Sequence, residues 1–269
     1  MLSSGLAQVF LETIIPFLSA AGLAMARVLG LILVFPVFTR LGLSGLLRSG
    51  VAIGLSLPLI PYLMVQFEVI EPLSNGRLAL LIVKEMLLGL VLGLAFGLPF
   101  WSVEAAGDVL DFYRGSSMAF LIDPSSTTET SILGTLFSLI LVALFFVIGG
   151  FELIIGGLYQ SYSVWPVVDL APSLHDGTAD FFLQLLDSIF RLGMVFAGPL
   201  LIAMFLGELA LALMNRFAPS LNVFDLSLSI KNLILFLGLP VYAIFALEYL
   251  KGDLVSLRGV IGTLELFAQ

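Results

Sequence analysis

The stretch Thr130–Phe151, "TSILGTLFSLILVALFFVIGGF", runs for 22 residues without a charge. A helix of about 20 apolar residues crosses the hydrocarbon core of a bilayer. Backbone in such a medium must satisfy its own hydrogen bonds, which a helix does within one segment. The stretch therefore predicts an α-helix that spans a membrane or is buried in an equally apolar assembly.

The pattern recurs along the chain. Ile14–Phe38 is apolar except for Arg27, and Val51–Val65 is shorter and holds Pro58 and Pro61. Leu78–Val103 is interrupted only by Lys84 and Glu85; Leu192–Gly207 comes next, then Leu226–Leu247 with Lys231 inside. With the opening stretch this gives about six apolar helices, an all-α fold. Polar connections are expected near 39–50, 66–77, 104–130, 152–180 and 208–225. The connection 152–180, rich in aromatics, Pro and Asp, reads as a short extended or amphipathic segment, and a structural sub-boundary is expected near 180.

Composition agrees. Of 269 residues, 60% are hydrophobic and 11% charged, and mean hydropathy is +1.15, against about 25% charged in soluble domains. Cysteine is absent, which excludes disulfides and thiolate metal sites. His175 sits in a Pro/Asp/Gly-rich loop and reads as a solvated imidazole. A net charge of −8 without a basic run argues against nucleic acid and against a polybasic lipid anchor. No Lys or Arg precedes the first apolar segment, so the positive start of a cleaved signal peptide is missing and the segment is expected to be retained. Loop Lys and Arg do not separate two sides: Arg40, Arg48, Arg114 and Arg216 oppose Arg77, Lys251 and Arg258.

Charges inside the apolar runs are Arg27, Lys84, Glu85, Asp187, Arg191, Glu208 and Lys231. Each would cost about 2.5–3.5 kcal/mol if left in lipid at mid-depth. Asp187 and Arg191 are expected to pair along one helix. Lys84 and Glu85, adjacent in sequence, are expected to point apart and find partners elsewhere, many of these charges being met by other subunits. Gly89, Gly93 and Gly97 form a small-residue ridge for close helix packing. Beyond Pro99, an expected kink, Glu104, Asp108 and Asp111 continue on nearly the same face, with Arg114 placed to pair with Asp111. That acidic stripe reads either as a solvated helix end or as a face lining a wet cavity or a partner.

Catalytic motifs are missing: no HExxH, Walker A loop, GxGxxG after a strand, or GxSxG elbow. An intramembrane aspartyl pair of Asp111 with Asp123 is a rival reading. Another is an ion-coupled transporter or channel using Lys84, Glu85, Asp108 and Glu208, although no inverted repeat with paired broken helices is evident.

The segment "DFYRGSSMAFLIDPSS", Asp111–Ser126, cannot continue one smooth apolar helix. Gly115 and the Ser116–Ser117 pair invite a break, and Asp123–Pro124 signals a turn. Between the breaks lie Met118, Ala119, Phe120, Leu121 and Ile122, and after them come hydroxyls suited to cap the next helix. The segment fits a buried re-entrant turn or a movable apolar stopper in a pore, since apolar constrictions close by dewetting.

"AGDVLDFYRGSSMAFLIDPSSTTETSILG", Ala106–Gly134, and "GELALALMNRFAPSLNVFDLSLSIKNLI", Gly207–Ile234, together resemble the T subunit of the type III secretion export apparatus, the SctT family, with FliR as flagellar counterpart. The Arg-Gly-Ser-Ser-Met and Asp-Pro elements resemble the secretion branch more than the flagellar one. Tyr113 departs from the pattern, where a smaller polar residue is expected. The resemblance covers the whole chain and implies a non-enzymatic, cofactor-free subunit of a closed export gate for unfolded proteins. It implies the bacterial inner membrane, with the assembly riding partly above the bilayer. Implied partners are R (FliP-like) and S (FliQ-like) subunits, the switch subunit U (FlhB-like) and the large subunit V (FlhA-like). It further implies an R-like part, 1–180, and an S-like two-helix hairpin, 181–269. The family's plug maps to Arg114, Gly115, Ser116, Met118, Phe120, Leu121, Ile122 and Asp123. Glu104, Asp108 and Asp111 become a conduit or partner face. Gly89, Gly93, Gly97, Asn215, Arg216, Pro219, Asn222 and Phe224 become subunit-packing positions.

Overall fold

The computed structural model describes residues 14–43, 45–68, 74–116, 131–170, 178–218, 220 and 222–266. Among the described residues the regular structure is helical throughout. In chain order the helices are α1 (Ile15–Val34), α2 (Pro36–Arg40), α3 (Gly45–Ser56), α4 (Leu59–Glu68), α5 (Asn75–Tyr113), α6 (Ile132–Val147), α7 (Gly150–Val164), α8 (Thr178–Asn215) and α9 (Val223–Leu266). Four helices are long and apolar enough to cross a membrane, up to six if each of two bent pairs counts as one span. The protein is a multi-pass membrane protein of the all-α class expected from its sequence.

Element lengths differ from expectation. α5 runs for 39 residues, α8 for 38 and α9 for 44, each well past its apolar centre. Helix propensity and backbone bonding do not stop where hydrophobicity does, so the polar ends stay helical. α5 continues through Pro99. Two helices take in expected polar connections: α3 begins at Gly45, inside 39–50, and α7 covers the start of 152–180. In α7 the hydroxyls do not compete with the helix. Ser161 Oγ donates to the Leu158 carbonyl and Ser163 Oγ to that of Gln160, both at 2.6 Å.

The chain divides into two compact units. One comprises 1–97, 149–181 and 257–269; the other comprises 98–148 and 182–256. In the first, α1 packs on α3 and α4, which meet at a 56° bend. α1 also lies backbone to backbone on α5. A Cβ on Gly30 would strike the Met86 carbonyl, one on Gly89 the Arg27 carbonyl, and one on Gly93 would stand 2.7 Å from the Leu31 carbonyl. The ridge is thus used within the chain, by a partner glycine that the spacing of Gly89 and Gly93 alone did not reveal. Gly97 is buried. Leu23, Val28, Leu31, Leu81 and Leu92 fill the core around this contact.

The second unit repeats the device. α5 and α6 meet at Gly107 and Gly134, where a Cβ on Gly107 would strike the Gly134 backbone. Aromatic edges stack outward from there. Phe100 meets Phe145 at 5.6 Å, Phe137 meets Phe196 at 5.1 Å, and Phe196 meets Tyr242 at 6.1 Å. α8 and α9 keep much of their apolar surface uncovered: only 17% of the Val223–Gly252 window is buried, and Phe236 is 78% exposed.

Replacing Gly89 by Val forces a side chain into the α1 backbone. The expected outcome is a loss of about 1–3 kcal/mol or more, read as a lower unfolding temperature of the detergent-solubilised protein. Gly22→Ala, where nothing lies within 4 Å, serves as the neutral control.

Candidate functional site

The described ends of the segment 117–130 are Ser116 and Ser131, and one residue joins both. Asp111, 3% exposed, lies in the last turn of α5. Its Oδ1 accepts from Arg114 Nε at 2.7 Å. Its Oδ2 accepts from Ser131 Oγ at 2.7 Å and from the Leu133 amide at 2.9 Å. Its backbone carbonyl accepts from the Ser116 amide at 3.1 Å and from Ser116 Oγ at 2.8 Å. Gly115, at φ 84°, supplies the left-handed turn that folds Ser116 back onto the helix end.

Local chemistry explains the arrangement. Ser131 is the N-cap of α6, and its oxygen accepts from the Gly134 amide at 2.8 Å. With Leu133 bonded to Asp111, two otherwise unpaired first-turn amides are satisfied, one by a carboxylate that also favours the positive end of the helix dipole. The Gly107–Gly134 crossing is what lets a side chain of α5 reach that helix start. Asp108, exposed, keeps Oδ1 where a Cβ on Gly134 would sit. Glu104 is half-buried on the same side. The acidic stripe therefore stands beside the α6 N-terminus, and the expected Asp111–Arg114 pair is present. Three donors hold the Asp111 carboxylate in a structural cap, and Asp123, its partner in the rival aspartyl reading, lies outside the described residues.

The second sequence motif meets the first at this point. Tyr113 Oη donates to Glu208 Oε2 at 2.9 Å, and Lys231 Nζ stands 2.8 Å from the same oxygen. The ammonium lies 4.4 Å from the centre of the Tyr113 ring, over its face. Arg114 Nη1 donates to Asn232 Oδ1 at 3.2 Å. Sequence reasoning singled out Glu208 and Lys231 as interior charges without joining them, and missed Asn232. The only signal was the shared placement of Tyr113 and Glu208 at the two motifs.

The first unit holds a separate buried charge cluster. Arg27 and Glu85 are wholly buried, with Nε 2.6 Å from Oε2. Lys84 Nζ stands 2.8 Å from Glu85 Oε1 and donates to the carbonyls of Pro166, Val167 and Asp169 at 2.9–3.0 Å. Arg27 also donates to Ser161 Oγ and to the Trp165 carbonyl, both at 2.9 Å, and lies over the Tyr162 ring at 3.8 Å. This corrects the expectation that Lys84 and Glu85 point apart and await other subunits. The long lysine stem folds back, and the loop after α7 supplies carbonyls the sequence could not reveal. The expected Asp187–Arg191 pair is absent among the described residues, and both side chains are exposed.

Of the remaining candidates, Met118, Phe120, Leu121, Ile122, Asp123 and Pro219 lie outside the described residues. Asn215, Arg216, Asn222 and Phe224 are exposed around the α8–α9 connection, where the Asn222 side chain bonds Asp225. Among the described residues no group of His, Cys, Asp and Glu could hold a metal.

The profile of "Bacterial export proteins, family 1" matches residues 18–256. The chain is 40% identical over 221 residues to "Yop proteins translocation protein T" of Yersinia pestis, covering 82% of this chain and 84% of that one. It is 33% identical over 238 residues to "Secretion system apparatus protein SsaT" of Salmonella typhimurium, covering 87% and 90%. Identity to "Flagellar biosynthetic protein FliR" of Bacillus subtilis is 27% over 236 residues, covering 86% and 88%.

Two substitutions test the clusters. Glu85→Gln leaves Arg27 and Lys84 without a counter-charge inside the first unit and is expected to cost about 3–5 kcal/mol. Asp111→Ala strands a cap, an amide and a guanidinium and is expected to cost about 1–3 kcal/mol. Thermal unfolding in detergent checks both. Limited proteolysis should show new cleavage within 117–130 for the Asp111 variant alone.

Proposed function

Because the chain belongs to the bacterial export proteins of family 1, the T-subunit family of the type III export apparatus, we propose that it walls part of an export conduit and closes it with residues 114–123. In this reading Met118, Phe120, Leu121 and Ile122 form the apolar seal, and Arg114, Gly115, Ser116 and Asp123 its hinges. Unfolded proteins are the cargo. The chain works in the bacterial inner membrane without catalysing a reaction. R and S subunits complete the gate, and the switch subunit U and large subunit V serve it. The division into an R-like part, 1–180, and an S-like hairpin, 181–269, belongs to the same proposal. So does the packing of other subunits on Asn215, Arg216, Pro219, Asn222 and Phe224.

The observation that carries the reading is the fastening of both ends of the segment to Asp111. A segment with an apolar centre, its one end bonded to the backbone carbonyl and its other to the carboxylate of one buried residue, keeps its ends together. A stopper requires this, because a blocking segment tied at both ends is not carried away with the cargo. The exposed apolar surface of α8 and α9 suits a chain completed by neighbours in a membrane complex. The higher identity to secretion relatives than to the flagellar one supports a secretion role.

Residues 116–122 replaced by Gly and Ser in the full chain, in a cell carrying the intact apparatus, provide the test. Ion leak through the membrane is expected to rise while the protein still assembles. Leak at the wild-type level in an assembled apparatus would end the stopper role.

A further inference from the structure

We propose that Glu208 and Lys231 form a latch with Tyr113 that positions the end of α5, and thereby the segment it carries. This rests on the gating function proposed above and names residues for it that neither motif assigns. Three observations converge. The first is economy of charge. Lys231 is 8% exposed in a helix otherwise built for an apolar setting. Its partner Glu208 keeps 41% of its side chain exposed, so the pair adds little to the hold of α8 on α9 and is better explained by the position it gives Tyr113.

The second is geometry. Glu208 Oε2 takes both the Lys231 ammonium and the Tyr113 hydroxyl, and the Tyr113 ring carries the ammonium on its face. Tyr113 is thus the third member of the group, touching both the carboxylate and the ammonium. Tyr113 is the last residue of α5, next to Arg114, which reaches Asn232 one residue beyond Lys231. Two neighbouring residues at the end of α5 thus grip two neighbouring residues of α9.

The third is the asymmetry of the neck. The α5 end is tied to the hairpin by Tyr113 and Arg114, whereas Ser131 and Leu133 are tied to Asp111 on α5. Releasing Tyr113 therefore removes one of the two ties between the α5 end and the hairpin, Arg114–Asn232 being the other, and breaks no bond of the neck. The contact at Gly207, where a Cβ would strike the Ile234 side chain, holds α8 on α9 at the same level, so the pair itself stays assembled.

Glu208→Gln, Lys231→Met and Tyr113→Phe, each in the full chain within the intact apparatus, test this by ion leak measured beside membrane accumulation. Each is expected to raise leak, about tenfold for loss of a charge-assisted bond and less for the phenylalanine, which keeps the ring beneath the ammonium. The exchanged pair Glu208→Lys with Lys231→Glu should stay leaky, because it restores the ion pair between α8 and α9 but sets a carboxylate over the Tyr113 ring, whereas a merely structural pair would be rescued by the exchange. Should a charge variant fail to accumulate, Tyr113→Phe, which removes one oxygen only, decides alone. Wild-type leak in accumulated variants, or an exchanged pair that returns to wild-type leak, overturns the latch. Leak on replacing 116–122 but none on breaking the pair would remove the latch and keep the stopper. No leak in either would remove both.

Discussion

A charge in an apolar helix must meet its counterpart before the helix can be buried, and this chain meets that demand by bringing backbones together. Where α1 lies on α5, Gly30, Gly89 and Gly93 let the two backbones touch. Arg27 reaches Glu85 across the same contact, and both are wholly buried there. The ion pair and the glycines are one device: without the glycines the charges stand apart, and without the charges the close contact would be a packing option among many. Lys84 extends the device to a third element. Its ammonium gathers three carbonyls of the loop after α7, which have no helix to bond to.

The second unit uses the same logic with a different result. Gly107 and Gly134 bring α5 onto the start of α6, and the charge that profits is Asp111. In place of a counter-ion alone, it finds a serine hydroxyl and a backbone amide at a helix N-terminus. In the first unit the device locks three helices and a loop into a core. In the second it closes a neck. The difference lies in the residues just beyond Asp111. Arg114, the left-handed Gly115 and Ser116 turn the chain back onto Asp111, so the lock forms where α5 ends and α6 begins.

Much of the helical fold was legible because apolar length and absence of charge leave a helix as the only economical backbone. The α3 and α7 helices were not, since Gly, Ser and Tyr are read as loop until their hydroxyls are seen to bond within their own turn. The Asp111–Arg114 pair was legible from i,i+3 spacing on one helix. Arg27–Glu85 and Glu208–Lys231 were not, because their partners lie on different helices and one sequence records no distance between them. Tyr113 stood out only as a departure from a family pattern. Its role becomes plain once Glu208 is placed beside it, since a small polar residue there could neither reach Oε2 nor support the ammonium.

The burial of the spans falls along the chain, from half of the Ile15–Val34 window to 17% of Val223–Gly252. The first helices carry their charges inward and satisfy them within the chain, so their surroundings have little left to supply. The last two present rows of Phe, Leu and Ile and hold one buried lysine at the place where the α5 end arrives. A helix pair with so little of its own core is ordered by what lies against it, lipid or protein, more than by its internal contacts. If 117–130 is the closing segment proposed above, anchoring the α5 end on such a pair couples that segment to those surroundings, because a shift of α8 and α9 moves Glu208 and Lys231, and Tyr113 is bonded to them.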